Sequence, residues 1–474
     1  MKRLMSVTIS ILLLSAVLLS ACASGGTASP TAPAETAAPT SVAGAPTATT
    51  GGEAQPSPTT AEATATAAAQ PVTIQVFYPI AVDAPIAKIL QGYIDQFQSE
   101  YPNITVEPVF SGGYTDVTTA IQTTIQGGGE PPALAVMLST DIYDLANAGY
   151  IAPLSDYLDA MPDKESYLND FIPAFMANSK YDNKIWSIPF QRSDVVLYYN
   201  KDLFQENNLQ PPDSWQAWAE AAQTLTQREG NNVTRWGLLY PSTFTYWLFQ
   251  PLPIGAGQNI VKEGEPGQVF FDTPEVIDSI KFYNSLSQQY NAMPQGVQDN
   301  WGEAPTDFAS GHAAMIMHTS GSLTSILDQA DFQVGVMPVP GKESGTYASV
   351  PGGGNLYILA GAPKEKRDAA WQFIQFLTQP EIAADFSINT GYIATRQSAY
   401  DTQAMKDYLQ KVPQAADTRD ALKYAQAELS TFDLGQVRTE LNNQLQSAIN
   451  GQESPEQAMQ QAQQQAESDL QAFQ

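Results

Sequence analysis

Between residues 72 and 138 the chain switches repeatedly between two hydrophobic periods, and this alternation restricts the fold more than any other feature. Val72 to Phe77 alternates apolar and polar residues and reads as a strand. Ile86, Ile89, Leu90, Tyr93, Ile94 and Phe97 then follow helical spacing until Tyr101-Pro102-Asn103 breaks the pattern. Ile104 to Val109 is a second strand, and Ser111-Gly112-Gly113-Tyr114 is a loop. Val117, Ile121 and Ile125 mark a helix that stops at Gly127-Gly128-Gly129. Ala133 to Leu138 is a continuously apolar third strand. Strands and helices joined by short loops in this order predict a parallel sheet. In such sheets ligands sit beyond the carboxyl ends of the strands, which is where Tyr114 and the Leu138-Ser139-Thr140 turn fall.

The residues before this alternation have a different character. Lys2 and Arg3 precede a short apolar run from Leu12 to Leu19, too short to span a bilayer. The run ends in Leu19-Ser20-Ala21-Cys22, which resembles the bacterial lipobox. That resemblance implies a lipoprotein signal peptide over residues 1–21, cleavage before Cys22, and lipidation of its sulfur with a diacylglycerol; the alternative is a buried or chance cysteine behind an ordinary signal. Two acyl chains suffice for stable anchoring without a spanning helix. Residues 22–70 are Ala, Thr, Pro, Gly and Ser with almost no large apolar side chain. This composition predicts a disordered stalk, extended by its prolines, that lifts a folded domain above a membrane.

Composition narrows the remaining classes. The formal net charge of −27 argues against nucleic acid as a partner, because phosphate neutralisation needs clustered Lys and Arg. Cys22 is the only cysteine, so neither an intrachain disulfide nor a Cys-ligated metal site is available. The 404 residues after the stalk (474 − 70) exceed what one core usually holds and predict two lobes.

The order of motifs along the chain resembles the extracellular solute-binding proteins, family 1, of ATP-driven importers. It is carried by Tyr101-Pro102-Asn103-Ile104, Pro131 to Leu138, Leu145 to Leu158, Lys184 to Phe190, Val196 to Phe204, Pro211 to Trp215, Pro380 to Phe386 and Thr390 to Ala394, and it runs from about residue 71 to the C-terminus. The resemblance implies an α/β, two-lobed periplasmic-binding-protein-like fold of type II, with a cleft between the lobes and several hinge crossings. It places one lobe at 71–190 plus 347–390 and the other at 191–346 plus 391–474. It implies a monomer, lipid-anchored on the extracytoplasmic side of the cell membrane, that captures a small molecule and delivers it to ABC permease subunits. No cofactor and no metal are expected.

Within that family Met317 to Ile326, Phe332 to Pro338, Val350 to Tyr357 and Leu434 to Arg438 are most similar to the glycerol-3-phosphate-binding branch. The ligand contacts this implies are Tyr114, Ser193, Trp247, Ser320, Ser322, Gly353, Tyr392 and Arg438. Arg438 offers a bidentate fork to phosphate or carboxylate, or else serves a structural ion pair. Tyr114 and Tyr392 cover a sugar face or bond a phosphate oxygen, or are plain core aromatics. Trp247, between Phe244, Tyr246 and Leu248, is core by composition and a ligand contact by resemblance. Ser320 and Ser322 flank Gly321, either an anion-binding turn or merely a tight one. The glycines of 352–354 permit close backbone approach to a ligand. The branch carries a glutamate after its third strand to hold glycerol hydroxyls; here that position is Leu138. A polyol phosphate, such as glycerol-3-phosphate or a glycerophosphodiester, is therefore the first expectation, with a di- or oligosaccharide as alternative.

Enzyme chemistry finds little support. There are two histidines, His312 and His318, no Gly-x-Ser-x-Gly elbow, and Glu343 where a P-loop would need Ser or Thr. A surface hydrolase and a ligand sensor are the remaining alternatives. Near the C-terminus Ala458, Ala462, Ala466, Leu470 and Phe473 form a helical seam, for packing within the chain or for a coiled-coil dimer.

Overall fold

The computed structural model of the chain describes residues 70–241 and 245–473. The signal segment, Cys22 and the stalk to residue 69 lie outside the described residues, as does Phe244. No helix among the described residues is long and apolar enough to cross a membrane.

The alternation of strand and helix forms as read. The chain runs through β1 (Val72–Tyr78), α1 (Ile86–Glu100), β2 (Ile104–Phe110), α2 (Tyr114–Gln126) and β3 (Leu134–Leu138), followed by α3 (Ile142–Asn147). Helix α1 buries Ile86, Leu90, Tyr93, Ile94 and Phe97, the stripe that its spacing predicts. Helix α2 begins at Tyr114, a turn before its apolar stripe. The left-handed Gly112 (φ +77°) turns the chain there, and Asp116 accepts a hydrogen bond from the Gly113 N–H at 2.7 Å.

The sheet is parallel only in part. β1 pairs in parallel with β2 and β3. The next elements are β4 (Ile188–Asn200), β5 (Met315–Thr319), β6 (Val334–Pro340), β7 (Tyr347–Ala348) and β8 (Pro351–Ile358). Among the described residues these make an eight-stranded sheet in the order β7-β6-β4-β8-β3-β1-β2, with β5 also paired to β4. β8 lies antiparallel to both β3 and β4. The direction follows from connectivity: β4 carries the chain past the carboxyl end of β3, and β8 brings it back, so β8 runs the opposite way. β4 is buried along all thirteen residues. Its first half (Ile188–Asp194) pairs with β8, and its second half (Val195–Asn200) with β5 and β6.

Four helices complete what is needed below: α4 (Lys364–Leu377), α5 (Pro380–Thr390), α6 (Leu434–Ile449) and α7 (Pro455–Leu470). α7 lies along α6 and buries Ala458, Ala462, Ala466 and Leu470, so the seam packs inside the chain. Phe473 stacks on Phe432 with centroids 4.7 Å apart.

The glycines of β8 make room for the protein's own groups. A Cβ at Gly352 would lie 2.4 Å from the Trp247 indole, one at Gly353 2.0 Å from the Gln191 carbonyl oxygen, and one at Gly354 2.6 Å from the Tyr114 ring. The backbone approach expected for a ligand is thus filled by these neighbours. Gly353 additionally has φ +96°, a conformation that side chains resist.

The crossing strand buries charge. Arg192 donates to Asn355 Oδ1 at 3.0 Å, and its guanidinium lies 5.1 Å from the Phe175 ring centroid. Asn355 in turn donates to Ser187 and Ser179. Asp194 accepts from Ser349 Oγ at 3.0 Å, and the Glu428 carboxylate accepts from the Tyr246 hydroxyl at 3.2 Å. Burial pushes the Asp194 carboxyl up to about 7 and that of Glu428 up to about 8, the latter against the opposing pull of Arg192. Burial likewise lowers the Arg192 guanidinium.

Two outcomes are expected. Gly352→Ala drives a methyl group into the Trp247 ring at ordinary backbone geometry, and calorimetric or denaturant unfolding should show a loss of about 1–3 kcal/mol. Both carboxyls bind protons more tightly folded than unfolded. Their contribution to stability is therefore complete below about pH 4 and is lost as pH rises through about 7 and 8. Melting temperature should fall from pH 5 to pH 8, and Glu428→Gln should flatten that fall; an unchanged slope in the variant would refute the assignment.

Candidate ligand-binding cleft

A cavity of about 660 Å³ opens beyond the carboxyl ends of all three parallel strands. Ile80, Ala81, Val82 and Asp83 follow β1, Gly113 to Asp116 follow β2, and Leu138 ends β3. The facing wall comes from Trp301, Gly302, Pro305 and Thr306, from His318, Ser322 and Ser325 at and after the end of β5, and from Tyr246, Arg438 and Asn442. Arg438 and Asn442 are four residues apart on α6 and so share one helix face. At the mouth, Ser325 Oγ donates to Asp83 Oδ2 at 3.1 Å across 242 residues of sequence.

Arg438 is the one cation among the described lining residues. Its guanidinium lies 5.6 Å from the Tyr246 ring centroid and is hydrogen-bonded to that tyrosine. Burial opposes its charge, but the fields of Tyr246, Asp141 and Glu428 prevail and hold its pKa above the ordinary arginine value. Tyr114 donates to Gln191 Oε1 at 3.1 Å and is also hydrogen-bonded to Tyr392. His318 stacks on Trp301 with centroids 3.9 Å apart and planes at 25°. Its ring nitrogens meet Ser322 Oγ at 2.9 Å and the Trp301 carbonyl at 3.0 Å. Burial pushes this imidazole down to about 4, so it is neutral at physiological pH. The stack puts two uncharged aromatic rings in the cavity wall.

Of the residues singled out in the sequence, Tyr114, Ser322 and Arg438 line the cavity together with Leu138. The other five sit behind it. Tyr392 is buried against Phe386, with rings at 5.7 Å and 11°, and supports Tyr114. Ser320 accepts the Asp194 N–H at 3.0 Å. Trp247 donates its indole N–H to the Pro351 carbonyl at 3.2 Å and lies against Gly352. Gly353 and Ser193 both lie within the β8–β4 ladder, Gly352 opposite Ser193 and Gly353 opposite Arg192. Sequence reasoning missed Trp301, Tyr246, Asn442, Asp83 and Asp116 as lining residues. For Asn442 a signal existed in its i+4 spacing from Arg438; for Trp301 the signal was a large aromatic in the polar, Gly- and Pro-bearing stretch 298–306.

The chemistry of the cleft is that of capture. It offers one fixed cation, two carboxylates, hydroxyls, an amide and aromatic rings. Among the described residues no group of three His, Cys, Asp or Glu is placed to hold a metal ion.

Comparison with known proteins agrees with this reading. The family model for bacterial extracellular solute-binding proteins matches residues 92–413. The sn-glycerol-3-phosphate-binding periplasmic protein UgpB of Escherichia coli is 27% identical over 413 residues, covering 82% of this chain and 91% of that protein. UgpB of Yersinia pseudotuberculosis is 27% identical over 395 residues, 80% and 88% of the two chains. Among solved structures, UgpB from Mycobacterium tuberculosis in complex with glycerophosphocholine aligns with a TM-score of 0.73 at 22% identity, over 85% of this chain and 99% of that one. The maltose/maltodextrin-binding domain MalE from Bdellovibrio bacteriovorus bound to maltotriose aligns with a TM-score of 0.72 at 21% identity, over 84% and 100%. The fold is that of the periplasmic solute-binding proteins, and the chain belongs to the bacterial extracellular solute-binding proteins, as a substrate-binding protein of an ABC importer that acts outside the cytoplasm and is not an enzyme.

Proposed function

We propose that the cleft captures a monoanionic phosphodiester of a polyol, of the glycerophosphodiester kind, and presents it to the permease. The observation that carries this is the placing of Arg438 in the cavity wall with Leu138 also lining it. A guanidinium holds a phosphate oxygen pair; leucine accepts no hydroxyl proton and suits a less polar substituent. The lining carries two carboxylates, Asp83 and Asp116, against that one cation. A phosphomonoester is close to doubly charged at neutral pH, whereas a diester carries a single charge, so the diester meets less repulsion. Of the ligands named for the UgpB relatives, glycerophosphocholine is such a phosphodiester and glycerol-3-phosphate is the corresponding phosphomonoester.

A second reading is a di- or oligosaccharide. It is favoured by the Trp301–His318 stack, which suits the apolar face of a sugar ring. The maltotriose complex of the MalE neighbour belongs with it.

The rest of the arrangement is our inference in the same sense. The lobes run over 71–190 plus 347–390 and over 191–346 plus 391–474, and their hinge motion closes the cleft on the ligand. Lipid on Cys22 tethers the monomer, and the stalk gives it reach above the membrane.

Isothermal titration of a soluble form beginning near Pro71 tests the ligand. Glycerophosphocholine should bind, and Arg438→Ala should weaken it by about 1.5–3 kcal/mol, roughly ten- to a hundredfold. Heat with maltotriose alone, unchanged in the variant, would establish the sugar reading instead.

A further inference from the structure

Two polar side chains line the cavity from α6, and both meet the same residue opposite. Asp144 accepts the Asp433 and Leu434 N–H groups at 2.7 and 3.0 Å, which fixes the start of α6 against the segment after β3. Leu434, Val437, Leu441 and Leu445 turn one stripe of the helix into the core. Arg438 and Asn442 stand about one and two turns on from Leu434, and both line the cavity. Against α6 packs the short helix Thr245–Phe249. Its Tyr246 is held through the hydroxyl, which donates to Glu428 Oε1 at 3.2 Å. The Tyr246 ring centroid lies 5.6 Å from the Arg438 guanidinium, and the Tyr246 backbone N–H donates to Asn442 Oδ1 at 3.0 Å. That last bond decides how the Asn442 amide is turned. A backbone N–H can only donate, so the amide oxygen has to meet it. Both Nδ2 hydrogens are then left without an acceptor among the described residues, on a half-buried side chain of the cavity wall.

We propose that Asn442 is a second anchor for the ligand's phosphate: its Nδ2 donates to a phosphate oxygen next to the one held by Arg438, and Tyr246 orients the amide for it. This rests on the reading of Arg438 as the anion contact. Side chains four apart on a helix start about 5–6 Å from one another, so their ends can converge on one phosphate group. A phosphodiester has two unesterified oxygens, both acceptors, and the guanidinium and the amide supply donors to both. The pair also selects by chemistry. With its oxygen engaged by Tyr246, Asn442 meets a ligand as a donor, and arginine has no acceptor at all. A sugar hydroxyl in this position would find no partner for its own hydrogen, whereas a phosphate oxygen has none to place. The simpler role for Asn442 is to satisfy an N–H in the first turn of the short helix, where no intrahelical partner exists. That role uses Oδ1 alone and leaves Nδ2 idle.

The test combines calorimetric titration with glycerophosphocholine and a crystal structure of that complex. In the complex a phosphate oxygen should lie about 3 Å from Asn442 Nδ2, with Oδ1 still on the Tyr246 N–H. Asn442→Ala should weaken glycerophosphocholine roughly tenfold. Asn442→Asp keeps an oxygen for the Tyr246 N–H and exchanges the donor for a carboxylate. Its melting temperature should stay near that of the wild type while its affinity falls by more than about tenfold, a separation that a purely structural role would not produce for the alanine variant and the complex together. A phosphate seated on Arg438 with Nδ2 more than about 4 Å away, or wild-type affinity in Asn442→Ala, would overturn the role of Asn442 and leave the phosphodiester reading intact. The complex of the wild type decides even if a variant does not fold. No heat from the wild type with glycerophosphocholine would overturn both, because α6 would then hold no anion.

Discussion

One strand has to satisfy two neighbourhoods at once. β4 is buried from Ile188 to Asn200 and takes its ladder partners from β8 on its first half and from β5 and β6 on its second. A buried backbone must pair its N–H and C=O groups along its whole length. The two halves of the sheet therefore cannot separate without breaking that ladder, and relative motion has to pivot about it. The cavity opens on the side where this strand continues past β3, so strand direction, sheet order and cleft position are consequences of one crossing.

Charge at this crossing sits where an apolar strand would have been cheaper to bury. Arg192, Asp194 and Glu428 are enclosed, with Asn355, Ser349 and Tyr246 as polar partners. Breaking such a cluster by removing one member leaves the others unpaired in a poorly solvating interior. The cluster lies beneath Tyr114 and Arg438, whose electrostatics it shares. Ligand-facing chemistry and the stability of the crossing are for that reason coupled through the same few side chains.

Much of the first half was legible in the sequence. Period and breakers gave β1, α1, β2, α2 and β3 within a few residues, because each is a local amphipathic pattern closed by Pro, Asn or Gly. The strand-end rule then placed Tyr114 and Leu138 at the cavity. Arg438 came through family resemblance, since an arginine on a helix looks like any solvated one until the fold turns it inward. What stayed hidden was non-local. The polar run Gln191 to Asp194 looks like a break in a strand, yet the strand runs through it because Asn355 and Ser349 wait on the other side. Asp144 caps a helix that begins 290 residues later, and no window of local sequence contains both partners. The glycines of β8 signalled close approach correctly, but the approaching groups were Trp247, Gln191 and Tyr114, brought there by the tertiary fold.

The cavity wall is assembled from Ile80 at one end of the chain to Asn442 near the other. Contacts of such wide sequence separation form slowly, because the intervening loops must close before they are rewarded. β4 cannot complete its ladder until β8 has emerged, and α6 cannot be capped until its start reaches Asp144. A nascent chain therefore gains a partly ordered sheet early but has no complete cavity wall until α6 is available. Until then the protein has no complete cleft for ligand to stabilise, so ligand can influence only the stage of its maturation that follows the emergence of α6.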